Sequence, residues 1–398
     1  MKEKFEERRL SGKIKLTLSS ERKLPGTNER SKDWSIEKPV LCREIVGIVT
    51  KYARQNYTLT LRQLYYQLVA GDVIPNDDVV YKKLSGVLGD LRYCGLIDWN
   101  AIEDRGRVPY LPYWAESVPD ALNDIARSFR LDRQQGQPKM IEIWTEKDAV
   151  SGILKRTTVQ YHIRLVVNKG YSSDSAMYSA YERFLTAING GQKVVILYFG
   201  DHDPSGLDMI RDIRERILFF LAAGERMTIN EYDFRVALED VTLDDLVDQG
   251  YLDDSVVQKF YECNRSDKEL NDDDLDRITI AWRMKYIAEK FFEVVPIGLT
   301  MEQIDEYNPP PNPAKITDPR AKDYIASYGG VSWEVDALPP DVMSQILDDA
   351  ILENMDSDIF EAVVVREKRG IAHIKQFANS YKPDAEIDTD FGADENED

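Results

Sequence analysis

The sequence has little cysteine, little histidine and no long apolar run. Its three cysteines, Cys42, Cys94 and Cys263, are an odd number scattered over 398 residues. That excludes a disulfide framework and a zinc site built on cysteine, and points to a reducing, cytoplasmic setting. The three histidines do not cluster either. No stretch is apolar over the length that crosses a bilayer, and the opening "MKEKFEERRLSGKIK" is charged throughout. Neither a membrane span nor a cleavable signal is expected. What the chain does have is 43% hydrophobic and 31% charged residues. That composition is globular, and the length allows two or three domains.

Positive charge is also in short supply, with a formal net charge of −20. Its distribution is uneven. Residues 1–115 hold 20 Lys and Arg against 15 Asp and Glu, or +5, which leaves −25 for the remainder. Eight acids and no base lie between Asp384 and Asp398, and "SDKELNDDDLD" adds another run at 266–276. Such runs are expected to be solvated, and the last to be a disordered tail over 383–398. A mildly basic N-terminal third fits a DNA contact made by one domain.

Along the chain, residues 1–35 read as a flexible arm. Over 36–115, "REIVGIVTKYARQN", "LRQLYYQLVAG" and "VVYKKLSGVLGDLRYCG" have helical spacing, with Thr60 and Asp77 or Asp78 as caps. "LIDWNAIEDRGRVPY" then reads as a β-ribbon. Three helices and a ribbon form the winged-helix pattern, a helix-turn-helix variant. DNA contacts are expected from Lys82, Lys83 and Arg92 on the third helix, and from Arg105 and Arg107 in the wing. Residues 116–138 read as a linker. From 139 to 245, apolar strands alternate with helices, which predicts a parallel sheet covered on both faces. The strands are "KMIEIWTE", "IRLVVNKG", "KVVILYFG" and, fourth, "YDFRVAL". Residues 246–382 read as a helical extension containing "NPPPNPAKITDPRAKDY" and "GGVSWEVDALPP", dense in Trp333, Glu334 and Asp336 but without an assigned role.

In an open parallel sheet, functional groups gather beyond the carboxyl ends of the strands. Here the first strand runs into Glu146 and the third into Asp201 and Asp203. Residues i and i+2 leaving a strand face one way, so both aspartates can address one locus. Glu146 joins them if its strand lies beside the third. Three converging carboxylates repel and raise each other's pKa, a penalty that a bound cation removes. Hard oxygen donors without a His or Cys cluster favour Mg²⁺ or Mn²⁺. Gly200 and Gly206 are expected to leave room for a phosphate, Ser205 to cap the next helix, and His202 to point away. D-x-D also follows an apolar strand in haloacid-dehalogenase-type phosphatases. There it ends the first strand of the domain, whereas here it ends the third and is followed by Pro204.

Glu146 in "IEIWTEKDAV", with "GDHDPSG" later, resembles the Toprim domain. The intervening "VNKGYSSDSAMYSAYERF" is similar to topoisomerase VI A subunits and the meiotic double-strand-break protein. "TLRQLYYQLVAG" resembles the winged-helix stretch of that family that carries the DNA-cleaving tyrosine, with Gln63 where an Asp is usual. The resemblance covers residues 40 to 240, and the length suggests a short stand-alone member from a mobile element or bacterium. It implies a winged-helix domain, a Rossmann-like Toprim domain and a helical extension. It also implies that Tyr66 attacks a DNA phosphodiester to leave a 5′-phosphotyrosyl link, with Arg62 stabilising phenolate or phosphate. Glu146, Asp201 and Asp203 would hold Mg²⁺, and Lys169 would touch DNA. The expected partners are double-stranded DNA, a second copy in a homodimer in which the tyrosine of one protomer meets the metal site of the other, and a possible ATPase chain, in a nucleoid setting. The alternatives are a Toprim nuclease using metal-activated water, with the tyrosine packing or binding DNA, and a catalytically inactive DNA-binding protein.

Overall fold

Alternation of charged and apolar residues in "KIKLT" makes a strand, β1 (Lys13–Thr17), that pairs antiparallel with β2 (Asp33–Glu37). Within the stretch read as an arm over 1–35, the described part, residues 9–17 and 33–35, holds β1 and the start of β2, and Ile14, Trp34 and Ile36 pack on the N-terminal core. The structure is a computed structural model and describes residues 9–17, 33–102, 112–168, 170, 172–224, 226–266, 268–313 and 320–381. Arg105, Arg107, Lys169 and the acidic tail lie outside the described residues.

Helix α1 (Lys38–Arg54) buries Leu41, Cys42, Ile45, Val49 and Tyr52. Helix α2 (Leu61–Ala70) starts at Thr60, whose hydroxyl accepts from the Gln63 amide while the Gln63 side chain accepts from the Thr60 amide. This reciprocal box satisfies two donors that a helix start leaves unpaired. Asp77 caps α3 (Asp78–Tyr93). The three helices share one core, with Ile45, Leu64, Leu68, Leu84 and Leu91 at its centre. Each large apolar side chain taken out of water there contributes about 1.5–3 kcal/mol. Within the stretch expected as a ribbon, the described part is a 3₁₀ turn at Trp99–Ala101 and a single bridge from Ile102 to Leu59.

Two compact units divide the chain: Met1–Gly106 with Gln137–Asp356, and Arg107–Gly136 with Ser357–Asp398. The stretch expected as a linker contains α4 (Val118–Ser128), which belongs to the second unit. In the first unit follow β3 (Lys139–Thr145), α5 (Asp148–Tyr161), β4 (Arg164–Val167), α6 (Asp174–Asn189), β5 (Lys193–Phe199) and α7 (Pro204–Ala223). Then come α8 (Glu231–Ala237), α9 (Leu243–Asp248), α10 (Asp254–Ser266), α11 (Asp272–Lys290) and β6 (Phe292–Gly298). The sheet has the order β4-β3-β5-β6, every pair parallel. Its fourth strand is therefore β6, not "YDFRVAL". That segment is helical because Asn230 caps it, accepting from the amides of Tyr232 and Asp233.

Successive residues of β5 serve opposite faces. Val194, Ile196 and Tyr198 pack with Phe184, Ile213 and Ile287, whereas Val195, Leu197 and Phe199 pack with Leu154, Leu347 and Ile351. Burial on both faces explains the near-continuous apolar run. Beyond the sheet lie α12 (Met301–Tyr307), β7 (Asn312–Pro313), α13 (Ala321–Tyr328) and β8 (Val331–Ser332). Antiparallel pairing of β7 with β8 leads into α14 (Pro340–Asn354). The second unit is completed by α15 (Ser357–Ser380). There Glu367 accepts from the Leu131 amide at 3.0 Å and pairs with Arg133 at 2.7 Å. Burial alone would raise its carboxyl, but these partners hold it below the ordinary value.

Among the described residues, no helix is long and apolar enough to cross a membrane.

Candidate active site

Because β3 and β5 are adjacent and parallel, with Trp144 opposite Tyr198, both carboxyl ends open on one side of the sheet. A cleft of about 710 Å³ lies there. Glu146, Asp201 and Asp203 all line it, and so do Arg62, Tyr65 and Tyr66 from α2. The geometry thus brings the two sequence motifs into one cavity of a single chain.

The turn after β5 is shaped by its glycines. A Cβ on Gly206 would stand 2.3 Å from the Asp201 carbonyl oxygen, and one on Gly200 would stand 2.4 Å from the Tyr198 ring. The missing side chains therefore serve close packing of the turn, and not the phosphate space read from the sequence. Asp203 Oδ1, not Ser205, caps α7 by accepting from the Gly206 amide at 2.6 Å. The obstacle to a Cβ on Gly206 is backbone that cannot step aside. Gly206→Ala is expected to cost about 1–3 kcal/mol, read as a lowered denaturation midpoint.

Sequence reasoning missed three members of the site. Lys147 follows Glu146 and reaches Asp201 Oδ2 at 2.7 Å, Glu334 Oε2 at 2.9 Å and Asp336 Oδ1 at 3.1 Å. Glu334 and Asp336 arrive on a strap that crosses the strand ends. Trp333 and His202 exchange both backbone hydrogen bonds at 3.0 Å, and the Val335 amide donates to Asp201 Oδ1 at 2.8 Å. Val335 packs in the core under the sheet and Ala337 in that of the N-terminal helices, so the strap is anchored at both ends. One signal was in the sequence: Glu334 and Asp336 repeat the acid-x-acid spacing of Asp201 and Asp203.

Arg62 sits one turn before Tyr66, with its guanidinium 5.6 Å from the centre of the Tyr66 ring. Its Nε lies 2.6 Å from Asp336, and its other end pairs with Glu334. Tyr66 is buried, and the charges of Glu334 and Asp336 act on its phenol. Burial, followed by the charges of Glu334 and Asp336, raises the phenol well above its ordinary value, against the opposing pull of Arg62. Tyr65 is turned elsewhere, donating to Asn76 at 2.9 Å.

Electrostatics separate the carboxylates. Burial would raise Glu334, but Lys147 and Arg62 more than offset it and hold the group at about 2. Asp201 is raised by burial and by Asp336, Glu146 and Glu334, despite Lys147. Glu146 is raised by burial, which Lys147 opposes and the Asp203 charge reinforces. Glu146 and Asp201 are hard oxygen donors raised by burial, a charge deficit of the kind that a divalent cation would relieve. As the side chains stand, no group of three or more His, Cys, Asp or Glu among the described residues is disposed to hold a metal. Lys147 supplies the positive charge at Asp201 instead.

Of the other expected residues that are described, Lys82, Lys83, Arg92 and His202 do not line the cleft. Lys82 and Lys83 are exposed, and Lys83 donates to the Lys15 carbonyl at 3.2 Å. Arg92 donates to the carbonyls of Trp99 and Ile102 and lies over the Trp99 ring. His202 is buried, with Nδ1 3.0 Å from the Tyr324 hydroxyl, and burial lowers its pKa.

No family model, curated protein or solved structure matches the chain.

Proposed function

We propose that the chain is a divalent-metal-dependent DNA strand-cleaving enzyme of the type IIB topoisomerase A-subunit kind, with Tyr66 as nucleophile. The observation that carries the reading is a single cleft lined by Tyr66, Arg62, Lys147 and the carboxylates Glu146, Asp201 and Asp203. Phosphoryl transfer to a tyrosine needs the hydroxyl, a cation to steady the phosphate and a way to stabilise the leaving oxygen. Tyr66 supplies the first. Arg62 and Lys147 can supply the second, since a guanidinium and an ammonium both bind phosphate oxygens. Glu146, Asp201 and Asp203 would hold Mg²⁺ or Mn²⁺, which when bound stabilises the leaving 3′ oxygen. Attack by the phenolate oxygen breaks the bond to that oxygen and forms the 5′-phosphotyrosyl link. The phenol proton must leave first, and burial, then the charges of Glu334 and Asp336, oppose that loss.

The same raised pKa favours a second reading, hydrolysis by water in the same cleft with Tyr66 as a packing residue. DNA contact by the N-terminal helices, a homodimer and a separate ATPase chain belong to the first reading as further proposals.

The test uses labelled duplex DNA with Mg²⁺ or Mn²⁺ at neutral pH, denatured before analysis. We expect protein attached to 5′ ends, abolished by Glu146→Gln, a variant that leaves the Lys147 ion pairs in place. Free 5′-phosphate ends without attached protein would replace the tyrosine route by hydrolysis. Intact DNA under every condition would end both readings.

A further inference from the structure

The Glu334 carboxylate occupies a position where three different donors meet. Its Oε2 takes Lys147 at 2.9 Å and pairs with Arg62, and its Oε1 takes the Asn312 amide at 3.3 Å. Tyr66 lines the same cleft. Guanidinium, ammonium and amide are a set that a tetrahedral phosphate uses as readily as a carboxylate does. Among the described residues lining the cleft, Arg62 and Lys147 are the cations, and strap carboxylates hold both. The two strap acids differ in exposure. The Asp336 side chain is 0% exposed and the Glu334 side chain 26%. Asp336 is thus a fixed partner that keeps both cations aimed, and Glu334 is the one that solvent reaches.

We infer that the Glu334 carboxylate is a built-in stand-in for a backbone phosphate of the substrate, filling an anion site made by Arg62, Lys147 and Asn312 until DNA displaces it. The inference deepens the proposed function and rests on it for the identity of the phosphate. A phosphate bound there would share the cleft with Tyr66. Its entry would also remove a carboxylate from beside the phenol. Asp336 stays behind, so Arg62 and Lys147 keep their orientation while they change partners. The arrangement makes the cleft self-blocked: a phosphate must compete with an acid already tied to the chain.

Binding without divalent metal tests this apart from cleavage. The probes are inorganic tripolyphosphate, by calorimetry, and a short fluorescent DNA duplex, by anisotropy. Glu334→Ala is expected to bind both about tenfold more tightly than wild type, the scale of removing one competing charge of about 1.4 kcal/mol. Arg62→Gln in the same background is expected to abolish the gain. Glu334→Gln keeps the side-chain shape, so it carries the test if the alanine variant unfolds. Equal or weaker binding by a folded Glu334 variant would overturn the inference, as would a gain that survives Arg62→Gln. Tighter binding of tripolyphosphate with no DNA attachment by wild type would leave the phosphate site standing and remove the tyrosine reading. DNA attachment without any gain in the Glu334 variants would do the reverse.

Discussion

Tyr66→Phe is expected to remove protein-linked DNA ends, by at least about a thousandfold, and to leave the fold intact. The substitution deletes one oxygen. The ring stays in the core of the N-terminal helices, edge-on to Tyr65 with centroids 5.2 Å apart. Glu334 keeps Arg62 and Lys147. The cost in stability should therefore stay within about 1 kcal/mol, the scale of one polar interaction. Denaturing electrophoresis of reactions with labelled duplex reads the first quantity, and chemical denaturation reads the second. Undiminished cleavage by the variant, with free ends, would assign the chemistry to water. Undiminished covalent attachment would point to another nucleophile, and Tyr65 is poorly placed for that because its hydroxyl is turned to Asn76.

Lys147→Met should be the most destabilising single change at the site, at about 3–5 kcal/mol. Its ammonium is the shared partner of Asp201, Glu334 and Asp336, and Asp336 is fully buried. Methionine fills much of the same space but carries no charge, so Asp201 would lose its cation and Glu334 and Asp336 would be left to Arg62 alone. The sign of the pH dependence follows. Carboxyls deprived of their cation have folded pKa values above their unfolded ones, so the penalty is present at neutral pH and shrinks as pH falls toward those values. Urea denaturation at several pH values reads the effect, and adding Asp201→Asn should recover part of it, because it removes one of the repelling charges. Equal stability of the variant and wild type at neutral pH would mean that the network contributes nothing net.

Much of the sheet was legible because its central strands sit between helices. "KMIEIWT" and "KVVILYF" are almost uniformly apolar, and such runs in short segments flanked by helical spacing leave few alternatives. Strand β6 was not legible, since Glu293 and Pro296 interrupt "FEVVPIG" and it lies at the sheet edge, where one side needs no partner. "YDFRVAL" misled for the opposite reason: its aromatic and β-branched residues favour a strand, and a local cap at Asn230 decided the matter. At the site, residues leaving β3 and β5 could be placed because strand ends are fixed by the sheet. Glu334 and Asp336 could not. Their position depends on a bridge between His202 and Trp333, a pairing that no local pattern encodes.

Arg62 and Glu334 are 272 residues apart in the chain. At about 5–20 residues per second, translation would separate the emergence of the two by roughly 14–54 s. The N-terminal helices can acquire most of their core in that interval, yet Arg62 must wait for its acidic partners. A polypeptide released from the ribosome between residues 147 and 334 would carry Tyr66 and both cations without the carboxylate that covers them. Protein quality control would then face a fragment whose phosphate-seeking residues are bare, whereas the finished chain leaves synthesis with them already occupied.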